Sequence, residues 1–323
     1  EEGFSFKLRV RRMQQSLLQS LRNKENEALR RMKKPEKSPI FKEIGNDVEA
    51  AVWAWINFGG IGARTRRGCG ALYCLRSDPN DLEINSPSSE GFEDWMEKCM
   101  LRYGLERPYP INDWPKIGEI SLKSGSNAIS CWEASINALK DFRQGANVGR
   151  DNWHGRSRWP EAESVRELVL KTNNLKDRPR GWHPKDPRIS INAFPRAEFG
   201  MPIIIEIRDE SLIQGGDNIK PTLQRDEKID RMASPLILRP IKFRNGKFGS
   251  MIIRLNKTPL DFAYLKAGKL DLAKSQQIKS SEITDPRNAK YRDSPMSRGL
   301  KTGSALDAFL VYAKGKGFLP VFP

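Results

Sequence analysis

Phe4, Phe6, Leu8 and Val10 alternate with Ser5, Lys7, Arg9 and Arg11. A period of two predicts a strand with one buried and one cationic face. Leu17, Leu18, Leu21 and Leu29 fall among many charges and predict a helix over 14–34, ended by Pro35. Ile44, Val48, Val52, Trp55 and Ile56 predict a second helix over 43–57. Gly59-Gly60 follows, where a helix C-terminus favours residues that tolerate left-handed dihedrals. Phe92, Trp95, Met96, Cys99, Met100 and Tyr103 form one apolar stripe on a further helix, and Ile129, Trp132, Ile136 and Leu139 mark another. Pro160, with Glu161 and Glu163 in the first turn, opens a helix that continues through Val165, Leu168 and Val169. Strands are expected at 71–75, 188–194, 202–207, 236–243 and 248–255, the last two joined through Asn245-Gly246. The polar stretch at 283–302 reads as a mobile loop before a final helix over 304–314, with Leu306, Phe309 and Leu310 inward. The class is α+β.

Chain length changes the picture first. At 323 residues the chain has room for about two domains, and the polar stretch at 77–90 separates 1–86 from 87–323. Charge narrows the partners. Lysine and arginine number 56 against 40 acidic residues, giving +16 and a pI near 9.7, a balance suited to polyanions such as RNA, DNA or an anionic membrane surface. Residues 1–35 alone carry ten basic and four acidic side chains; the charge-dense helix at 14–34 reads as an ordinary solvated face, with docking of an acidic partner subunit as the alternative. Mean hydropathy is −0.63, yet eight Trp and fourteen Phe argue for folded cores. The longest apolar runs, such as 50–56 and 203–205, are far short of the roughly 20 residues that cross a bilayer. Cys69, Cys74, Cys99 and Cys131 include no C-x-x-C pair, which disfavours a zinc ribbon and a disulfide framework and makes a reducing cytoplasm the expected compartment. No secretion signal stands at Glu1-Glu2-Gly3, and no cofactor is expected.

The densest chemistry lies at Gly60-Ile61-Gly62-Ala63-Arg64-Thr65-Arg66-Arg67-Gly68-Cys69-Gly70. No acidic residue occurs from Gly59 to Arg76. Glycine removes the Cβ that would hold a ligand away, and backbone amides together with guanidinium forks can then reach successive phosphate oxygens. No Gly-Lys-Ser/Thr ends the loop and Thr65 breaks G-x-G-x-x-G, so neither nucleotide fingerprint fits. The expectation is a polyphosphate grip by Arg64, Arg66 and Arg67 on a bend made by Gly60, Gly62, Gly68 and Gly70, set against a tight turn with solvated arginines.

FGGIGARTRRGCGAL at 58–72 resembles the glycine-rich loop of the RAMP superfamily, specifically of subunit one of the Cmr module in type III-B CRISPR effectors. GRSRWPE at 155–161, AFPRAEFGMPI at 193–203 and RMASPLILRP at 231–240 resemble the same family's other signature blocks, in the same order. There are departures. Cys69 stands where an aromatic residue is usual and Ala71 near a usual serine, and family members begin with a strand and a basic helix ahead of the part resembling 4–10. The resemblance implies two RNA-recognition-motif-like (ferredoxin-like) RAMP domains, 1–86 being an incomplete N-terminal one with the loop and 87–323 a C-terminal one. It also implies a non-catalytic subunit in antiviral defence, assembled with other Cmr subunits, CRISPR RNA and target RNA. The short apolar runs make a membrane partner unexpected, and neither His154 nor His183 has neighbours at zinc-ligand spacing, so no metal is expected. Arg9, Arg11, Arg156 and Arg158 would extend the positive track.

Arg150, Arg156 and Arg158 alternate with Trp153 and Trp159 around His154, a mixture in which indoles can stack on bases while guanidiniums hold phosphates. Alternatively Trp159 packs beneath the helix at Pro160, and Arg156 or Arg158 pairs with Glu161 or Glu163. The competing functional reading is a metal-independent endoribonuclease that processes CRISPR precursor RNA with His154 as general base. His183 is the weaker candidate for that role. For Arg196, Arg231 and Arg239 the favoured role is fixing loops through carbonyls over touching RNA.

Overall fold

The computed structural model describes residues 15–33, 40–74, 87, 89–105, 115–152, 157–162, 164–165, 193–206, 220–256, 260–266, 276–283, 294–297 and 303–322. The strand expected at 4–10, with Arg9 and Arg11, lies outside them, as do His154, Arg156 and His183. So do most of the expected linker at 77–90 and, apart from 294–297, the stretch 284–302.

Helix α1 (Gln15–Arg31) packs on α2 (Ile40–Phe58), close to the periodicity-based limits. A third helix, α3 (Phe92–Arg102), buries Phe92, Trp95, Met96, Cys99 and Met100, the stripe read from the sequence. Strand β1 (Lys116–Gly125) leads into α4 (Ala128–Gln144), where the Asn127 side chain accepts from the Ser130 amide and Ser130 Oγ accepts from the Asn127 amide. This reciprocal box satisfies otherwise orphaned donors and fixes where the helix begins. The short strands β2 (Ile203–Ile204) and β3 (Thr222–Gln224) precede the hairpin β4 (Leu236–Lys242) and β5 (Phe248–Asn256). Gly246 turns that hairpin at φ 80°, a dihedral that only glycine adopts cheaply. Strands β6 (Phe262–Lys266) and β7 (Gln276–Lys279), the one-turn α5 (Ser280–Ile283), α6 (Ala305–Gly315) and β8 (Leu319–Phe322) complete the described elements.

Two antiparallel sheets result. The larger has the order β4-β5-β1-β8, so β1, α4, β4, β5, α6 and β8 run in the chain as β-α-β-β-α-β. Alternation along β4 and β5 divides its faces. Leu236, Leu238 and Ile252 face α4 and α6, meeting Leu139, Phe142, Phe309 and Trp159. Ile241, Met251 and Ile253 face α2 and α3, meeting Trp53, Phe58, Trp95 and Met96. The apolar core is therefore continuous across the expected boundary at residue 86. The smaller sheet has the order β2-β3-β6-β7 and packs Leu223, Ala263 and Leu265 against Val165, Phe194 and Ile283.

Several expectations are corrected. At 71–74 there is one isolated bridge, Gly60 to Ala71, in place of a strand, because the neck of the loop pairs with itself. The strand expected at 188–194 lies outside the described residues except at 193–194, and 195–199 form a 3-10 turn after it. Met296, placed by the sequence in a mobile stretch, is buried in the α4/α6 core. β1 was not anticipated: Lys116, Glu119, Ser121, Lys123 and Ser124 dilute its apolar alternation, and β5 and β8 on either side make it a strand.

Candidate nucleic-acid interface

α2 ends into the loop, and its last turn sets the neck. The Gly59 amide donates to the Trp55 carbonyl at 3.0 Å, Trp55 Nε1 donates to the Gly60 carbonyl at 3.1 Å, and the Ile61 amide donates to Gly70 at 2.9 Å. Beyond the neck Gly62 takes φ 88°, Arg64 takes the left-handed φ 59°, Thr65–Arg67 form a 3-10 turn, and Gly68 and Gly70 return at φ 79° and 67°. Gly68 is required by contact as well as dihedral. A Cβ there would lie 2.7 Å from Trp132 Cδ1 and 2.8 Å from the Leu238 carbonyl, so the loop rests on α4 and β4 without room for a side chain.

Arg239 holds the base of this loop. It lies on β4, 1% exposed, and its Nη1 donates to the Gly59 carbonyl at 2.9 Å while Nη2 donates to Ile56 at 3.1 Å and Leu72 at 2.7 Å. One guanidinium thus satisfies the end of α2 and both sides of the neck. Burial pulls its pKa down to about 10, so it stays charged at neutral pH. This is the loop-fixing role favoured for Arg239 from the sequence, and Trp132 adds a further tie by donating from Nε1 to the Arg67 carbonyl at 2.6 Å.

The three loop arginines do different things, which corrects the picture of a threefold grip. Arg66 donates to the Ser234 carbonyl. Arg67 turns inward, its Nη1 buried without a partner. Only Arg64 is exposed, and among the described residues its side chain makes no hydrogen bond or ion pair. Around it the amides of Gly62, Ala63 and Arg64 make no backbone hydrogen bond, so the apex presents unspent donors beside a free guanidinium. The physical reason for the split is geometric: the 3-10 turn directs successive side chains to different sides, and two of them meet the fold.

Beneath the apex lies a buried cluster. Arg196 pairs with Glu161, and its guanidinium lies 5.8 Å from the Trp159 ring. Arg143 lies 5.9 Å over Phe199, with its Nε buried and unpartnered, as is Glu161 Oε2. Burial, then the neighbouring charges of Arg196 and Arg67, pulls Arg143 down to about 10, with Glu161 acting the other way. Burial holds Arg66 and Arg67 below the usual guanidinium range, Arg67 also through Arg66. Arg143 and Arg196 thus share one carboxylate, with Arg67 near enough to repel Arg143, and charges in a poorly screened interior project positive potential to the surface above.

The quoted sequence blocks converge here. Arg66 joins 58–72 to 231–240 through Ser234, Arg196 joins 193–203 to 155–161 through Glu161, and Met201 bridges Met232. In the same block Glu198 Oε2 accepts from Ser304 Oγ at 2.9 Å and the Leu306 amide at 3.1 Å, holding the start of α6.

The segment at 150–159 fares differently from its expectation. Trp159 is fully buried and donates to the Arg143 carbonyl at 3.0 Å, so it is a core residue and cannot stack on a base. Arg158 pairs with Asp151 at 3.0 Å and donates to the Asn147 carbonyl at 3.0 Å, in place of the expected pairing with Glu161 or Glu163. Trp132 and Arg143 were not singled out as site residues. Trp132 was visible only as a helix-face aromatic, and nothing in the local pattern marks Arg143.

Among the described residues no helix is long and apolar enough to cross a membrane and no group of His, Cys, Asp and Glu could hold a metal ion. Searches of curated proteins and of solved structures found no significant match. Residues 5–73, which contain α1, α2 and the loop, match the family model of the RAMP superfamily, and this supports a RAMP relationship for the chain.

Proposed function

We propose that the chain is a non-catalytic, RNA-binding subunit of a type III-B CRISPR (Cmr) RNA-guided effector, holding guide or target RNA by its backbone through the loop at 60–70. The observation that carries the reading is the apex: Arg64 exposed and unpaired beside the unbonded amides of Gly62, Ala63 and Arg64, on a loop without a carboxylate. The RAMP match over the same segment supports RNA as the polyanion. The β-α-β-β-α-β order with sheet order β4-β5-β1-β8 supports a ferredoxin-like unit as one of two RAMP domains.

In the mechanism, Arg64 forks onto a phosphate and the neighbouring amides take adjacent oxygens, while Arg66, Arg67, Arg143 and Arg196 contribute field from below. An open sheet can display aromatics to bases. Here both faces of the larger sheet are covered by helices, which moves the contact to the loop. Among the described residues no base-reading set is presented, and on this reading sequence choice falls to guide pairing.

The test is single-stranded RNA affinity across a salt series for the full chain and Arg64→Ala. Weakened binding across sequences, with the log–log slope flattened by about 0.7 per lost phosphate contact, is expected. Unchanged affinity and slope remove the loop from the interface. Residue-mapped crosslinking within the reconstituted particle tests the assignment to a Cmr assembly.

A further inference from the structure

Tyr73 leaves the loop two residues after the Gly60–Ala71 bridge, and half of its surface meets solvent. It belongs to none of the three apolar cores. A cation lies over the ring. The Lys242 ammonium lies 4.7 Å from the Tyr73 centroid and 5.7 Å from that of Phe248, its register partner at the end of the β4–β5 hairpin. Lys242 has no ion pair among the described residues, and Lys247, exposed in the hairpin turn, has none either. No acidic residue lies in the chain between Gly59 and Arg76. An aromatic ring beside a cation, half open to solvent, and joined to a phosphate-binding apex is the arrangement that takes an unpaired nucleobase: the base stacks on the ring while neighbouring charges follow its phosphates.

We infer that Tyr73 is a base-stacking subsite for single-stranded RNA, beside Lys242 at the neck of the loop, so that a strand whose phosphate Arg64 binds is also gripped through one of its bases. This rests on the RNA-binding reading above. Stacking accepts any base, so the subsite adds affinity without adding sequence preference, which suits a chain that leaves specificity to pairing.

The experiment uses the full chain with a short single-stranded RNA and with the same RNA carrying one abasic position, stepped along its length. Tyr73→Ala should weaken binding by about 5- to 150-fold without altering the salt slope, because a stack neutralises no phosphate, and Tyr73→Phe should restore most of the affinity. In the wild type one abasic position should cost a similar factor, and in Tyr73→Ala that cost should disappear, since two deletions of one contact do not add. Tyr73→Ala binding within twofold of wild type, or an abasic penalty unchanged by the substitution, overturns the subsite. If Arg64→Ala weakens binding while Tyr73→Ala does not, the subsite falls alone. If the wild type binds no RNA, the reading of the loop falls and the subsite with it.

Discussion

In the loop at 59–72 the guanidiniums end on a carbonyl, in an interior short of carboxylates, or in solvent; in the segment at 150–159, Arg158 ends on Asp151. The first stretch sets arginine among glycines and the second sets it among tryptophans, and the sequence reads both as RNA-contacting. The difference is who is nearby. The loop follows a helix with no acid in reach along the chain, and α4 and β4 offer it carbonyls and an indole. The second segment folds back so that an aspartate seven residues earlier meets Arg158, and its tryptophan fills the core. Positive charge in a sequence becomes positive potential in a structure only where the fold withholds the counter-charge.

Trp159→Ala should have the largest effect, destabilising the fold by about 3–5 kcal/mol as a large core ring is lost, with the RNA affinity of the molecules that remain folded little changed. Denaturant melts paired with binding corrected for folded fraction check this. A base-specific loss of binding at normal stability would return Trp159 to the interface and erase the contrast. Glu161→Gln should cost about 3 kcal/mol, since Arg196 and Arg143 would lose their shared carboxylate. Because the field under the loop grows more positive, surviving folded protein should bind RNA more tightly at low salt; weaker binding would show that Glu161 serves the loop through its shape alone.

Gly70→Ala and Gly62→Ala probe the loop itself. At Gly70 a Cβ would fall on the Ile61 carbonyl at φ 67°, whereas at Gly62 nothing lies near at φ 88°. The first should cost about 2–3 kcal/mol and disrupt the neck, the second about 1 kcal/mol from the left-handed dihedral alone. Equal effects would mean that the neck pairing is not what shapes the apex. Smaller again in energy, Arg64→Ala should flatten the salt slope while Arg158→Ala leaves it unchanged, because Arg158 is already neutralised by Asp151. Equal slopes for both variants would collapse the comparison.

Much of the framework was legible because it rests on periodicity. The stripe from Phe92 to Met100, α2 and the hairpin through Gly246 follow from local spacing and one dihedral. β1 and the pairing of the neck were not, because their partners lie far along the chain. At the site, the glycines and the missing acids marked the loop, and Arg239 was read as a loop-fixer. Which guanidinium stays free was not readable. That depends on the Ser234 carbonyl, Trp132 and Arg143, brought in from 65 or more residues away.

The smallest effect separates the two regions by pH. The loop holds neither carboxylate nor histidine, so its grip on RNA should be flat through the range where carboxyls titrate. The framework holds Glu198, whose pKa burial raises against the opposing bonds from Leu306 and Ser304. A carboxyl raised in the folded state binds its proton more tightly there than in the unfolded chain. Stability from this group is therefore greatest below the unfolded value and declines as pH rises from that value through the folded one. Glu198→Gln removes the titration, so the stability of wild type minus variant should shrink as pH rises through that window in paired denaturant melts. A difference that grows with pH would mean that the bonds to Ser304 and Leu306 outweigh burial and favour the charged carboxylate. An RNA salt slope that moves in step with this titration would tie the loop to the framework beneath α6 and undo their separation.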